Sequence, residues 1–542
     1  MKSNFISKIV ASLLLVSLIV VGCAQKPELN QTVAPEENFD DPAHSEVKDE
    51  LVISVGTGIA DGGYDPCTGY GIYGYGLFFS SLLKFDADIQ LRPDIALKYE
   101  VSPDGLTYTF YLRDDVKFSD GTLLTAEDVA FTYLTAKNSG SSVDLTVLED
   151  AKVLNDTTVE FTLNKKWSPF TSTAALLGIV PKHAYGEDFS DNPVGSGPWR
   201  LAQLDKQQQL IVVPNEYYYS TKPSFKKVTL LELDEEAALA AAKSGQLDVV
   251  MVNPEYAKEK IEGMELISLM TVDNRGFNLP TIPEYVNSEG KLIGNNVTAD
   301  FAVRKALNIG IDRKKIIQNA LNGIGIPAYG RVDALPWYNS ETPFEDNRKE
   351  EAKKILEDAG WKDTDGDGIR EKDGIRAEFT VTGRTDDLQR YNLAVALSED
   401  AKELGINIIA KAAAWSDCKK DTLNIPTCWG SGNYSPIDLY NAYYSKMSGI
   451  GTNNTSLYSN PKVDMYIEQA LAATTMDEAV KYWKLAQWDG ETGINVDYPF
   501  LWIVNIDHTY FVNNGIDIGN QMLHPHGHGH PVIANMNEWS MK

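Results

Sequence analysis

Apolar and polar positions alternate along this chain with two periods. LVISVG (51–56), DTTVEFTL (156–163), LIVVPN (210–215), FKKVTLLEL (225–233) and LDVVMV (247–252) are short β-rich runs, and LTYTFYLRDDVKF (106–118) alternates as a hairpin partner does. Other stretches repeat at helical spacing. TAEDVAFTYLTAK (125–137) opens on the capping residue Thr125, carries Glu127 and Asp128 at its positive end, and lines up Val129, Tyr133 and Ala136. ADFAVRKALNIGID (299–312) separates Phe301, Lys305 and Asn308 from Val303, Ala306 and Leu307. KEEAKKILEDAGW (349–361) turns Ile355, Leu356 and Ala359 inward and stops at Gly360, and 386–405 spaces Leu393, Leu397, Ala401 and Leu404 likewise. An Ala-rich helix ends at Gly245, and INIIAKAAAW (406–415) reads as the strand after 386–405. Alternating strands and helices imply an α/β architecture, and no repeat of 20–50 residues is evident.

The amino terminus has a different pattern. Lys2 and Lys8 precede an apolar run from Ile9 to Val21 that ends in Val20-Val21-Gly22-Cys23. The run is shorter than the roughly 20 residues a spanning helix needs and fits a signal-peptide core. Small residues before Cys23 resemble a bacterial lipobox, where the cysteine is lipid-modified and becomes the mature terminus. Residues 1–22 are thus expected to be removed. Residues 23–50 are polar, acidic and proline-bearing, the composition of a disordered tether.

Composition narrows the function. The 542 residues carry 49 Lys plus Arg against 76 Asp plus Glu, formally -27, with no basic patch, so nucleic acid is not a partner. Four cysteines exclude a disulfide-dense scaffold. No GxxxxGK[ST] phosphate loop and no HExxH occurs.

Residues 99–132, YEVSPDGLTYTFYLRDDVKFSDGTLLTAEDVAFT, carry a longer signature. So do IVPKHAY (179–185), PVGSGPWRL (193–201), PNEYYYSTKP (214–223), VRKALNIGIDRKKII (303–317), AKKILEDAGWKDTDGDGIREKDG (352–374) and WGSGNYSP (429–436). In identity, spacing and order these resemble the family 5 extracellular solute-binding proteins, receptors of oligopeptide, dipeptide and nickel importers. The resemblance runs from about Leu51 to the end. It implies a bilobal periplasmic-binding-protein-like fold of class II type, with an inserted subdomain in the first lobe. Lobe I is then 51–90, 193–272 and 510–542, the subdomain 91–192, and lobe II 273–509. It also implies a non-catalytic, monomeric receptor, lipid-anchored at the extracellular face of the cell membrane, or periplasmic if an outer membrane is present. It would capture a short peptide or a metal chelate and hand it to ABC transporter permease and ATPase subunits. No cofactor is required; nickel or another transition metal is a candidate ligand. A histidine-rich metalloenzyme and a sensor serving a signalling partner are the competing classes.

Several places are candidates for ligand contact. Asp65 to Gly76 interleaves glycine with Tyr70, Tyr73 and Tyr75, either lining the cleft or packing as an aromatic turn. Arg275 is a candidate clamp for a carboxylate, or an interlobe ion pair, with Asn278 nearby. Trp415, Trp429, Asn433 and Tyr434 form an aromatic region. In the peptide-binding members an aspartate in this region pairs with the peptide ammonium, and Asn433 stands there instead. Cys418 and Cys428 are expected to be bridged, with free thiols as the alternative. His524, His526, His528 and His530 place four of the 7 histidines within seven residues. They read as metal ligands of the site, as a surface metal ribbon, or as a loop before a strand PVIANM (531–536). Asp363-Thr364-Asp365-Gly366-Asp367-Gly368 resembles the start of a calcium loop but lacks a glutamate at its twelfth position, Gly374.

Overall fold

Seven strands make the largest sheet of this computed structural model, which describes residues 48–542 except 75, 140–142, 343, 528 and 529. Their order is Met264–Leu269, His508–Asn513, Val249–Val252, Glu50–Ser54, Lys227–Leu231, Gln209–Pro214 and Trp199–Asp205. Glu50–Ser54 runs parallel to both Lys227–Leu231 and Val249–Val252. Lys227–Leu231 and Val249–Val252 flank that strand in the same direction, so the chain must cross over between them, and the helix Glu235–Lys243 lies in that crossing, capped by the Asp234 side chain on Ala237 N–H. The other pairs of the sheet are antiparallel.

An antiparallel sheet of Ala96–Val101, Thr107–Leu112, Thr158–Leu163 and Leu148–Asn155 lies between the first and second strands of the chain's large sheet in sequence. Thr107–Leu112 buries every second residue, as a sheet with one packed face does. The helix Ala126–Asn138 begins at Thr125, the cap its sequence predicts, and Asp128 completes a capping box there.

A third sheet orders Ile326–Pro327, Phe500–Asn505, Asn274–Asn278 and Cys428–Ser431. Both faces of Phe500–Asn505 are covered. Phe500 and Trp502 join the core shared with the large sheet, and Leu501 and Ile503 join a second core with the helices Phe301–Gly310, Lys349–Asp358 and Leu388–Ala401. A parallel pair, Glu378–Arg384 with Asn407–Ala413, completes that second core.

The chain passes twice between the large sheet and the third sheet, at 269–274 and at 505–508. These crossings are fastened together. Ile506 N–H donates to Asp273 O at 2.9 Å, and Thr271 Oγ1 donates to Ile506 O at 2.7 Å.

Two local expectations are corrected. Trp415 does not end a strand: the strand stops at Ala413 and Trp415 opens the helix Trp415–Asp421. Residues 531–536 are not a strand but lie in the 3₁₀ segment His530–Glu538. Pro531 has no N–H to give a ladder, and its fixed φ suits a helical first turn.

Candidate functional site

The two crossings carry charge into the interior. Asp273 is 1% exposed and accepts both terminal nitrogens of Arg275, the Nη2 contact measuring 3.0 Å. His526 Nδ1 lies 2.7 Å from the same carboxylate and His508 Nε2 3.4 Å. Burial alone would raise the Asp273 pKa, but Arg275 and His526 outweigh it and hold the carboxyl well below the usual range. Arg275 is raised, because Asp273 and Asp387 overcome its desolvation.

The segment 524–526 reaches this point as an added extended stretch. His524 N–H donates to Met270 O at 3.0 Å, Val272 N–H to His524 O at 2.8 Å, and His526 N–H to Gly432 O at 2.8 Å. Gly432 has φ of +138°, and a Cβ there would lie 2.0 Å from Val272 O, so the close approach requires glycine.

A cavity of about 920 Å³ opens beside the crossings. Ser54, Thr57 and Asn253 line it from the large sheet, Arg384 to Gln389 from the other side, and Asp273, Arg275, Asp507 and His508 from the crossings. Eight carboxylates line it against two arginines. Some are neutralised locally: Arg384 grips Asp386 through two contacts of 2.8 and 2.6 Å, and Arg390 pairs with Asp387 at 2.8 Å. Glu236 and Glu255 remain as negative lining. One clasp spans the cavity: Gln389 Nε2 donates to Asn253 Oδ1 at 2.7 Å, and Asn253 Nδ2 to Glu235 Oε2 at 2.5 Å. A second cavity, about 420 Å³, is lined by Tyr70, Tyr73, Phe79, Phe85, Tyr434 and His524 among others.

The residues singled out in the sequence scatter around these two spaces. Arg275 lines the larger cavity as an ion pair with Asp273, and its Nε has no hydrogen-bond partner among the described residues. Tyr70 and Tyr73 line the smaller one, and the Tyr73 ring meets His526 edge-on at 5.8 Å. Tyr434 is buried there and donates to Leu523 O. His530 lines the larger cavity, with Nε2 3.2 Å from Thr57 O. His528 and Cys23 lie outside the described residues.

Other candidates are structural. Asp65 caps Pro66–Thr68 through Cys67 N–H at 2.8 Å and accepts Tyr185 Oη at 2.7 Å. Asn278 is fully buried; its Nδ2 donates to Thr422 O and Thr455 O, while its Oδ1 accepts Thr427 N–H and Trp429 Nε1. Trp415 packs edge-on against Trp429 at 5.0 Å under the Arg384 guanidinium. Asn433 accepts Ser435 N–H at 2.8 Å and lines neither cavity. Cys418 and Cys428 are not bridged: both are buried free thiols, with Cys418 Sγ directed at Ala413 O at 3.7 Å. Burial pushes the Cys428 thiol up to about 12.

In the acidic loop, Asp363 and Asp365 converge with Glu371 rather than with a residue at the twelfth position. It is the one group of three metal-ligating side chains among the described residues. Its carboxylates already serve the turn, Asp363 accepting Gly366 and Gly368 N–H, and Glu371 accepting Thr364.

Asp273, His508, Asn253 and Gln389 escaped the sequence reading. A signal existed for the first two. DNR (273–275) interrupts LISLMTV and GF, and IDH (506–508) interrupts FLWIVN and TYFV, so each places charge within an apolar run.

A sequence profile of the bacterial extracellular solute-binding proteins, family 5 Middle, matches residues 90–454. Protein XP55 of Streptomyces lividans is 34% identical over 463 residues, 82% of each chain. The oligopeptide-binding protein AppA of Bacillus subtilis is 27% identical over 85% of this chain and 86% of its own. The crystal structure of NikZ from Campylobacter jejuni in complex with Ni(L-His) superposes with a TM-score of 0.74 at 25% identity, covering 91% of this chain and 99% of that one. Among the described residues no helix is long and apolar enough to cross a membrane. The α/β fold, the profile and the relatives agree: this chain belongs to the bacterial extracellular solute-binding proteins of family 5.

Proposed function

We propose that this protein is a lipid-anchored receptor, held at the extracellular face of the membrane through Cys23, that captures a small solute and passes it to an ABC permease. The observation that carries the reading is the 920 Å³ cavity bounded by the large sheet on one side, by residues 384–389 on the other, and by the two crossings. A cavity so placed changes shape when the sheets rotate about the crossings, which is how a hinge couples ligand capture to a recognisable closed form.

The excess of carboxylates over arginines in its lining favours a solute bearing positive charge. The ammonium of a short peptide and the metal of a nickel chelate both meet that requirement. AppA's name and the NikZ complex put both classes among the relatives. Ligand contact falls to Arg275, His508 and His530 on the cavity wall, with Tyr73 and His526 behind them.

Small-angle X-ray scattering of the full chain tests the reading with two ligand sets, a mixture of di- and tripeptides and nickel with free L-histidine. One set should shrink the radius of gyration. A radius unchanged by either set would sink the reading.

A further inference from the structure

Seven of the eight carboxylates that line the larger cavity are already engaged or lie in solvent. Asp234 caps the helix Glu235–Lys243 on Ala237 N–H, and Glu235 is held by the backbone and side chain of Asn253. Asp273, Asp386 and Asp387 are paired with Arg275, Arg384 and Arg390. Glu236 and Glu255 are exposed.

Asp507 is the eighth, and it differs from all of these. It stands on the second crossing, between the third sheet and the large sheet, and lines the cavity from there. Ser268 Oγ donates to its Oδ2 at 2.8 Å, which holds the carboxyl against the edge strand of the large sheet. Its Oδ1 is buried and has no hydrogen-bond partner among the described residues. A buried acceptor left open is destabilising unless something outside the chain meets it. Arg275 Nε, on the strand after the first crossing, is open in the same way and lines the same cavity, but as a donor.

We propose that Asp507 is the specificity-determining residue of this receptor, accepting a hydrogen bond from a solute ammonium, while Arg275 Nε donates to a carbonyl or carboxylate oxygen of the same solute. The captured molecule is an organic cation with N–H bonds rather than a chelate that presents its metal. One open oxygen suits an N–H donor at about 2.7–2.9 Å. A metal takes several ligands at once, and the one group of three metal-ligating side chains among the described residues lies in the acidic loop instead. Burial raises the Asp507 pKa, and a cation docked on Oδ1 opposes that shift. The contact is made by a different segment from Asn433, which lines neither cavity. It is also made on a crossing, so occupancy acts directly on the segment about which a hinge turns. The inference deepens the receptor reading and rests on it for the capture of a solute in this cavity.

The test mixes the full chain with di- and tripeptides, half of them acetylated at the amino terminus, and reads the retained molecules by native mass spectrometry. Acetylation removes the ammonium and keeps the rest of each peptide. The wild-type chain should retain the free amines over the acetylated forms by about tenfold or more. Asp507→Asn should lose that preference, and Ser268→Ala, a milder change at the same carboxyl, should narrow it. Glu350→Gln, which removes an exposed charge from the helix Lys349–Asp358, should leave it unchanged. Equal retention of the two forms by the wild-type chain, a comparison that needs no variant to fold, would overturn the assignment. So would an unchanged preference in either Asp507→Asn or Ser268→Ala. Retention of nickel with L-histidine and of no peptide would remove the assignment and keep the receptor. Retention of neither would remove the receptor reading and the assignment together.

Discussion

His526 Nδ1 sits 2.7 Å from the carboxylate of Asp273, 253 residues earlier in the chain. The contact ties the C-terminal segment to the point where the chain leaves the large sheet. Asp273 also neutralises Arg275 in surroundings without solvent. Removing one member of a buried pair leaves the other uncompensated. Asp273→Asn is expected to destabilise the protein by about 3–5 kcal/mol, read as a lower urea midpoint at pH 7. Adding Arg275→Met should recover part of the loss. A single variant as stable as the parent would contradict this account of the crossing.

Asp333 sets a pH dependence with the opposite sign from an ordinary carboxylate. Burial raises its pKa to about 7, only partly offset by Tyr329 and Gly330 N–H and by Arg313. Its Oδ1 has no partner among the described residues. Between about pH 4 and 7 the folded state holds a proton that the unfolded state releases. Stability from this group is therefore present at low pH, falls as pH climbs to 7, and levels off above. Asp333→Asn is expected to gain about 1–3 kcal/mol at pH 8 and almost nothing at pH 4. Thermal denaturation across that range checks it, and parallel curves for parent and variant would refute it.

The clasp between Gln389 and Asn253 gives a third expectation. One hydrogen bond of this kind is worth about 1 kcal/mol, enough to shift an open–closed balance about fivefold. Gln389→Ala should enlarge the radius of gyration of the solute-free chain while leaving its melting temperature within a degree or so. An unchanged radius would mean that the clasp does not hold the two sides together.

The cysteines give a fourth. Cys67, Cys418 and Cys428 are free and buried, so all three should react with a thiol reagent only after unfolding without reductant. Peptide mapping of the unreduced protein should show no link between Cys418 and Cys428. A linked peptide would restore the bridge that the sequence suggests.

Local elements were readable wherever one stretch of sequence carried its own signal. The capping residue Thr125 fixed the start of one helix, and the spacing of Leu393, Leu397 and Ala401 placed another against its sheet. The site was less readable because its contacts join distant segments. Asp273 meets His526 and His508, and Asn253 meets Gln389 across 136 residues. The histidine-rich run drew attention to itself, yet its closest imidazole partner, His508, stands alone before an apolar strand. Asn278 and Asp65 looked available in sequence, but backbone donors and acceptors folded around them use their polar atoms. A side chain's type announces what it is able to bind, and only the register of the sheets decides what it does bind.

Native mass spectrometry of the protein purified from its own cells tests the receptor reading most directly. The account predicts one small molecule per chain, a short peptide or a metal chelate, released on gentle activation and absent from an Arg275→Met variant prepared alongside. A bare chain, or a molecule retained equally by that variant, would contradict it.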